Sequence, residues 1–279
     1  MERQQITKII LLIVALINHF CCGQTHRFIY TLQFKKNVKD SIYVHDFIVT
    51  DINKNNIKSY SYEFLKYDSI NKRGSLFFAN PVFEERFIRD LNSDKFLNFE
   101  NLLENVYSYE TNDKMEWIIS NEFKKIANYN VQKAICTYGR RNWIAWFTTE
   151  LPFPYGPYKF SGLPGMILEI RDDEENYLFS FYQNINIKKE YDTSGFLENF
   201  YDIKPLKINL SKLKKIKIDY YLDPYRELRS RQKIGYFQDD NGVTIEKPNY
   251  NKLSKEKRDE ILKNNNPIEL DKAVKYPEK

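Results

Sequence analysis

The chain has 279 residues, of which 42% are hydrophobic and 16% aromatic, with 21 Tyr and 20 Phe. That is enough apolar material for a sizeable core, which excludes global disorder; the aromatic richness and the scarcity of Ala favour strands over a helical bundle. The formal net charge of +5 is spread thinly and excludes the concentrated basic stripe that nucleic-acid binding requires.

Residues 1–23 read as a secretory signal peptide. Arg3 and Lys8 supply the positive start, Ile9–Ile17 is a run of nine apolar residues, and Cys21 and Gly23 are small residues suited to a cut before Gln24. The run is too short for a membrane span, which takes about 20 residues. Removal leaves Cys136 as the sole cysteine, so no intrachain disulfide is expected, and its simplest role is that of a small buried hydrophobe. Residues 24–279 then form one domain, with a short C-terminal helix and a tail.

Residues 24–36 alternate with Phe28, Tyr30, Leu32 and Phe34 on one face, which predicts a half-buried strand. Further strands are expected over 42–50 and 57–68, joined by polar turns and so antiparallel neighbours. Asn80-Pro81, followed by Phe83, Phe87 and Leu91, predicts a helix over 81–92. Strands return at 107–109, 114–120, 128–138 and 142–148. Gly139-Arg140 lies between the last two as a hairpin turn, with Gly139 supplying positive φ. Trp143, Ala145 and Phe147 face one way and Ile144 and Trp146 the other, so that strand is expected to be covered on both sides.

Prolines and glycines then break the pattern between Leu151 and Gly165. Pro152 and Pro154 forbid a ladder, and Leu163-Pro164-Gly165-Met166 has the form of a type II turn with positive φ at Gly165. Gly139, Gly156, Gly162, Pro164 and Gly165 are the structural turn residues of this region. Residues 166–187 read as a hairpin whose solvated tip is Asp172-Asp173-Glu174-Glu175. An alternating run within 205–222, including the basic patch around Lys214 and Lys217, reads as a strand. A short helix is expected over 224–232, an exposed hairpin or loop over 235–250, and a helix over 255–263 capped by Ser254; the last dozen residues read as a surface tail.

Outside the signal region the histidines are His26 and His45, and neither stands in metal-ligand spacing; no cofactor and no metal are expected. No pattern of a metalloprotease, a nucleophile elbow or a phosphate loop occurs, so no catalytic residue is assigned. The candidate ligand-binding residues are Arg140, Trp143, Trp146, Tyr155, Tyr158 and Phe160, concentrated in one stretch with turn residues. Such aromatics could line a groove over a curved sheet or plug one end of the core.

The segment Gly162-Leu163-Pro164-Gly165-Met166-Ile167 resembles the motif of the GLPGLI, or Porph_ging, family of secreted Bacteroidetes proteins, with Met in place of the usual Leu. Around it stand Lys133-Ala134, Gly139-Arg140, Ala145-Trp146-Phe147, Pro152, Gly156-Pro157 and Lys159-Phe160, and near the end Asn266-Pro267-Ile268-Glu269-Leu270 is similar to the family's closing segment. Asn128 stands before Tyr129 where relatives often have Gly, a departure that bears on a tight turn there, since Asn is the next best residue for positive φ. The resemblance implies an exported envelope protein and implies no reaction.

The expectation is a mainly β domain, a curved antiparallel sheet or half-barrel with a few short helices, found in the periplasm, at the outer membrane or outside the cell. Its expected function is non-enzymatic binding or assistance to an outer-membrane transport or assembly system, with an outer-membrane protein or an apolar or peptide ligand as partner. The alternative is a secreted hydrolase with its site near residues 143–160. An apolar trough there would favour a carrier; polar side chains converging near Trp143 or Tyr158 would favour the enzyme.

Overall fold

The computed structural model describes residues 24–74, 77–91, 93–230, 237–238, 244–245 and 249–277. The signal-peptide reading and most of the 235–250 loop reading lie outside these residues. Twelve strands form one sheet: β1 Thr25–Phe34, β2 Val44–Ile52, β3 Asn56–Ser61, β4 Arg86–Asp90, β5 Lys95–Leu102, β6 Asn105–Asn112, β7 Ile118–Ile126, β8 Tyr129–Tyr138, β9 Arg141–Thr148, β10 Met166–Asp172, β11 Tyr177–Ile187 and β12 Leu206–Lys207. Their order is β12-β6-β5-β4-β3-β2-β1-β11-β10-β9-β8-β7. All pairs are antiparallel except β12 beside β6. Consecutive strands pair with each other within β1–β6 and within β7–β11, as chain economy favours, although β3–β4 and β9–β10 are joined by long connections. The long β1–β11 ladder joins the two halves.

The sheet is curved but not closed into a barrel. Five strands separate β4 from β9, a distance of about 29 Å in a flat sheet at the usual strand spacing. Yet Phe87 of β4 lies 5.9 Å from the Tyr158 ring, and Trp143 of β9 lies 4.5 Å from the Phe160 ring. The two wings therefore curl around the loop between β9 and β10, whose Tyr158, Phe160 and Leu163 join Leu32, Phe87, Phe96, Trp143 and Phe179 in the largest core cluster. Register shifts in β1, β7 and β10 supply local bends. A second layer covers the opposite face: Ile29 of β1 and Val49 of β2 pack with Tyr60, Phe64 and Phe196. Hence β1 is buried on both faces over much of its length, Arg27 and Ile29 included, rather than half-buried as alternation predicted.

Tertiary pairing overrides several local signals. The third strand stops at Ser61, whose side chain accepts from Glu63 N and caps helix α1, Tyr62–Asn71. The helix expected over 81–92 is absent: 81–85 is irregular, and β4 is held in extended form by β3 and β5 on its two sides. The strand expected within 205–222 is mainly helix α2, Leu210–Leu222, capped by Asn209. Its Leu213 packs on Tyr107 and Tyr109 of β6, so the basic patch lies on a helix. Helix α3 spans Arg226–Ser230, and α4 spans Tyr250–Lys263 from an Asn249 cap; Ser254 is buried within α4 rather than capping it. A short pair joins Phe237–Gln238 to Thr244–Ile245.

The supposed tail is part of the core. Ile268 and Glu269 are buried, and Leu270 N donates to Gly139 O at 2.8 Å. Asp172 is also buried rather than solvated; its Oδ1 accepts from Asn176 N and Tyr177 N, both at 2.7 Å. Gly139 and Arg140 both have positive φ, +62° and +60°, as a two-residue hairpin turn requires. Positive φ falls at Ala127 instead of Asn128, and at Gly162 instead of Gly165. No helix among the described residues is long and apolar enough to cross a membrane.

Candidate functional site

The six aromatic and basic residues singled out from the sequence are not gathered at one surface. Trp143, Tyr158 and Phe160 are together, buried in the core beneath the curl. Trp146 and Tyr155 pack with a separate cluster around Phe28 and Met166, where the Lys124 ammonium lies 4.3 Å from the Trp146 ring. Arg140 is exposed at the tip of the β8–β9 hairpin. The space left beside Tyr155, Tyr158 and Phe160 is about 10 Å³, no more than one water requires.

Polar groups converge one layer further out, on the side of Tyr158 that faces the C-terminal segment. Lys159, flanked by two aromatics that enter the core, carries its ammonium into the same interior. It donates to Glu269 Oε1 at 2.7 Å and Asp113 Oδ2 at 3.1 Å. The hydroxyls of Tyr138 and Tyr158 each donate to the same Glu269 oxygen at 2.5 Å. Thr111 donates to Asp113 at 2.6 Å, and Lys272 bridges Asp113 and Glu269. Burial opposes ionisation of Asp113 and Glu269, but Lys159 and Lys272 outweigh it and hold both carboxyls below their ordinary range. Burial and the charge on Glu269 push the Tyr138 hydroxyl far up, so it remains a donor.

This network pins the C-terminal segment across the mouth of the curled sheet. Arg141 adds to the same purpose: its guanidinium reaches Asn266 Oδ1 at 2.6 Å, Pro267 O at 2.9 Å and Asp172 at 3.1 Å. Between the segment, helix α2 and strands β5 and β6 lies a cavity of about 100 Å³, bounded by Glu85, Glu100, Tyr158, Lys217, Glu269 and Tyr276 among others. A more open cleft of about 420 Å³ adjoins it, sharing Glu85, Lys217 and Tyr276. Glu100 of β5 is paired with Lys217 of α2. Glu85, in the irregular stretch leading into β4, borders both spaces, and no hydrogen bond or ion pair to a described residue engages its carboxyl. Burial, then Glu100 and Glu269, push that carboxyl up to about 7, against the opposing pull of Lys159 and Lys217.

Sequence reasoning assigned no role in a site to Glu85, Glu100, Asp113, Lys217 or Glu269. A signal existed for two members of the network: Lys159 stands between Tyr158 and Phe160, and Glu269 between Ile268 and Leu270. A charge inside a short apolar run is costly to bury unless it has a partner, so the two could have been read as one buried pair. For Glu85 and Glu100 the sequence holds no such mark, because their meeting depends on the curl.

The Porph_ging family model, a protein family of unknown function, matches residues 139–169. The match runs from the tip of the β8–β9 hairpin into β10 and bears out the resemblance read from the motif. No curated protein matches the chain. Among solved structures, PNGF-II in its C2 and P21 crystal forms is similar in fold: each aligns with a TM-score of 0.50 at 18% identity over 70% of this chain. The alignments cover 32% and 33% of PNGF-II, so the chain spans about a third of the length of the solved structures it matches.

Proposed function

We propose that this chain, which carries the Porph_ging segment, is an exported binding protein of the cell envelope that holds a small polar ligand in the cleft between its curled sheet and the α2–C-terminal cap. The observation that carries this reading is the cavity bordered by Glu85, Glu100, Lys217 and Glu269, with an open cleft beside it. A mostly apolar lining with a few placed polar groups suits an apolar cargo; this lining is rich in charge, which favours a polar ligand over the apolar one expected from the aromatic stretch. Service to an outer-membrane transport or assembly system remains the setting proposed for such a binder.

The hydrolase reading has one observation in its favour. Polar groups do converge near Tyr158, and a carboxyl poised close to neutrality suits general acid–base work. The binding reading is preferred because the neighbouring charges are committed to each other: Glu269 and Asp113 to Lys159 and Lys272, Glu100 to Lys217. One uncommitted carboxyl is a recognition group; hydrolysis commonly takes a second group placed opposite it. Native mass spectrometry of protein purified from its own envelope tests the reading. A co-purifying small molecule released on unfolding supports it, and protein of bare-chain mass from every preparation refutes it.

A further inference from the structure

Resting on that reading, we infer that the ligand bears an alkylammonium or guanidinium group, and that Glu85 is the residue that recognises it. The argument is one of charge commitment inside the cavity. Lys159 and Lys272 each contact Asp113 and Glu269, and Lys217 contacts Glu100. Those contacts leave no cation among the described residues in direct contact with Glu85, although its side chain borders both the cavity and the open cleft. Glu85 is half-buried; a partly desolvated carboxylate without a partner is costly, and an incoming ammonium removes that cost with a charge-assisted hydrogen bond. An incoming carboxylate would instead meet Glu85, Glu100 and Glu269 at close range.

Size limits the ligand's charged end. Apolar cavities of about 150 Å³ accept benzene; the cavity here is about 100 Å³, room for a short alkyl stem and its charged head. The adjoining cleft, with Lys36, Glu84 and Glu260 on its rim, takes whatever the stem is attached to. A free alkylamine and a lysine side chain of a peptide present the same chemistry. Lys214 of α2 also lines the cavity, half-buried and without a carboxylate contact among the described residues, so capture of an anion there is the competing outcome.

Binding of this kind depends on pH. The groups facing Glu85 are Glu100 of β5, Lys159 of the β9–β10 loop, Lys217 of α2 and Glu269 of the C-terminal segment. Tyr109, Tyr158, Lys214, Asn265, Lys272 and Tyr276 complete the polar lining. Of these, Glu269, Lys217 and Lys272 hold their charges through neutrality, so the proton that competes with the ligand is the one on Glu85, leaving near pH 7.

The test is a ¹H–¹⁵N NMR titration of the protein as exported with n-butylammonium, 1-butanol, butyrate and the peptide Gly-Gly-Lys-Gly-Gly. The expected result is saturable shifts at residues 83–86, 213–217 and 267–270 with n-butylammonium, about tenfold weaker at pH 6 than at pH 8, and none with butanol or butyrate. Tighter binding of the peptide than of the amine identifies a basic side chain as the source; the reverse identifies a free amine. Glu85→Gln, which keeps the shape of the site, is expected to abolish the preference for n-butylammonium over butanol. Equal binding of butanol, preferential binding of butyrate, or a preference that survives in Glu85→Gln overturns the inference while leaving a binding cleft. No shift with any probe overturns it too, and the envelope preparation then decides separately whether the cleft holds a ligand.

Discussion

Replacing Gly165 separates two reasons for a glycine in a turn. Its φ is not in the left-handed region, so a side chain there is not barred by backbone conformation. The bar is proximity: a Cβ would stand 2.0 Å from Thr148 O and 2.7 Å from Thr148 C, at the end of β9. A carbon–oxygen contact settles at about 3.3 Å, so Gly165→Ala must drive the two strands apart by roughly 1.3 Å. That displacement falls where Phe147 and Thr148 are buried and where Met166 pairs with Thr148. Overpacking of this kind costs about 1–3 kcal/mol. We place Gly165→Ala near the top of that range, and Gly165→Val above it. For about 3 kcal/mol in a domain of this size the melting temperature falls by roughly 6–12 °C. Gly162 is the control. Its φ is +98°, and a Cβ there would meet nothing nearer than the Trp117 ring at 3.8 Å, so its replacement by Ala costs backbone strain of about 1–2 kcal/mol. Calorimetry of Ala and Asn variants at both positions decides. Asn should be milder than Ala at 162, where it tolerates positive φ, and harsher than Ala at 165, where only size counts. Gly165→Ala melting with the wild type, or Asn relieving the defect at 165, refutes the proximity argument.

Glu85 has a folded-state pKa of about 7, above its ordinary 4.5, so between those values the folded protein binds the extra proton and loses stability as pH rises. Glu85→Gln should therefore gain stability at pH 8, by at most about 3 kcal/mol, and little near pH 4.5; urea denaturation showing an equal gain at both pH values contradicts this. Asp113 and Glu269 act with the opposite sign, since their lowered values give stability that is present above the ordinary carboxylate range and lost on acidification through them. Lys159→Met strips Glu269 and Asp113 of a buried partner and should cost about 3–5 kcal/mol at neutral pH; an unchanged urea midpoint would dismiss the network as a stabilising element. Cys136 is buried and its thiol is pushed up to about 12 by that burial, so an aromatic disulfide reagent should label it only as fast as the protein unfolds, and prompt stoichiometric labelling at pH 8 would refute this.

Much of the sheet was legible because its signals are local. Alternation marked β1, β2 and β8–β11, and Gly139-Arg140 marked the hairpin whose two positive φ values the backbone needs. The failures share one cause, namely that a neighbour supplied what the local sequence did not. Asn80-Pro81 with Phe83 and Phe87 is a fair helix start, yet β3 and β5 claim 86–90 for their ladders. Ile208 with Leu210, and Ile216 with Ile218, suit a strand's period of two, whereas Leu210, Leu213 and Ile216 suit a helix, and Tyr107 and Tyr109 on β6 provide the surface that selects the helix. The last residues are polar enough to pass for a tail, but the hydroxyls of Tyr138 and Tyr158 satisfy Glu269 more than a hundred positions away in sequence. The cavity was illegible for the same reason, since Glu85, Glu100, Lys217 and Glu269 come from four separate segments.

The matched segment and the proposed ligand site are largely different sets of residues. Within 139–169, Gly139 leaves room for the Glu269 backbone, Arg141 holds Asn266 and Pro267, and Tyr158 and Lys159 hold the Glu269 side chain. Gly156 admits Ile167, and Gly165 admits the end of β9. These are the roles of a clasp: they seat the loop inside the curl and fasten the closing segment over it. Of the charged groups that border the cavity, Lys159 lies inside the segment, whereas Glu85, Glu100, Lys214, Lys217, Glu269 and Lys272 lie outside it. A family recognised through its clasp is recognised by how the sheet is closed, and the clasp constrains the cavity's position without dictating its lining. The proposed ligand of this chain is therefore to be sought at Glu85 and Lys217, outside the matched segment.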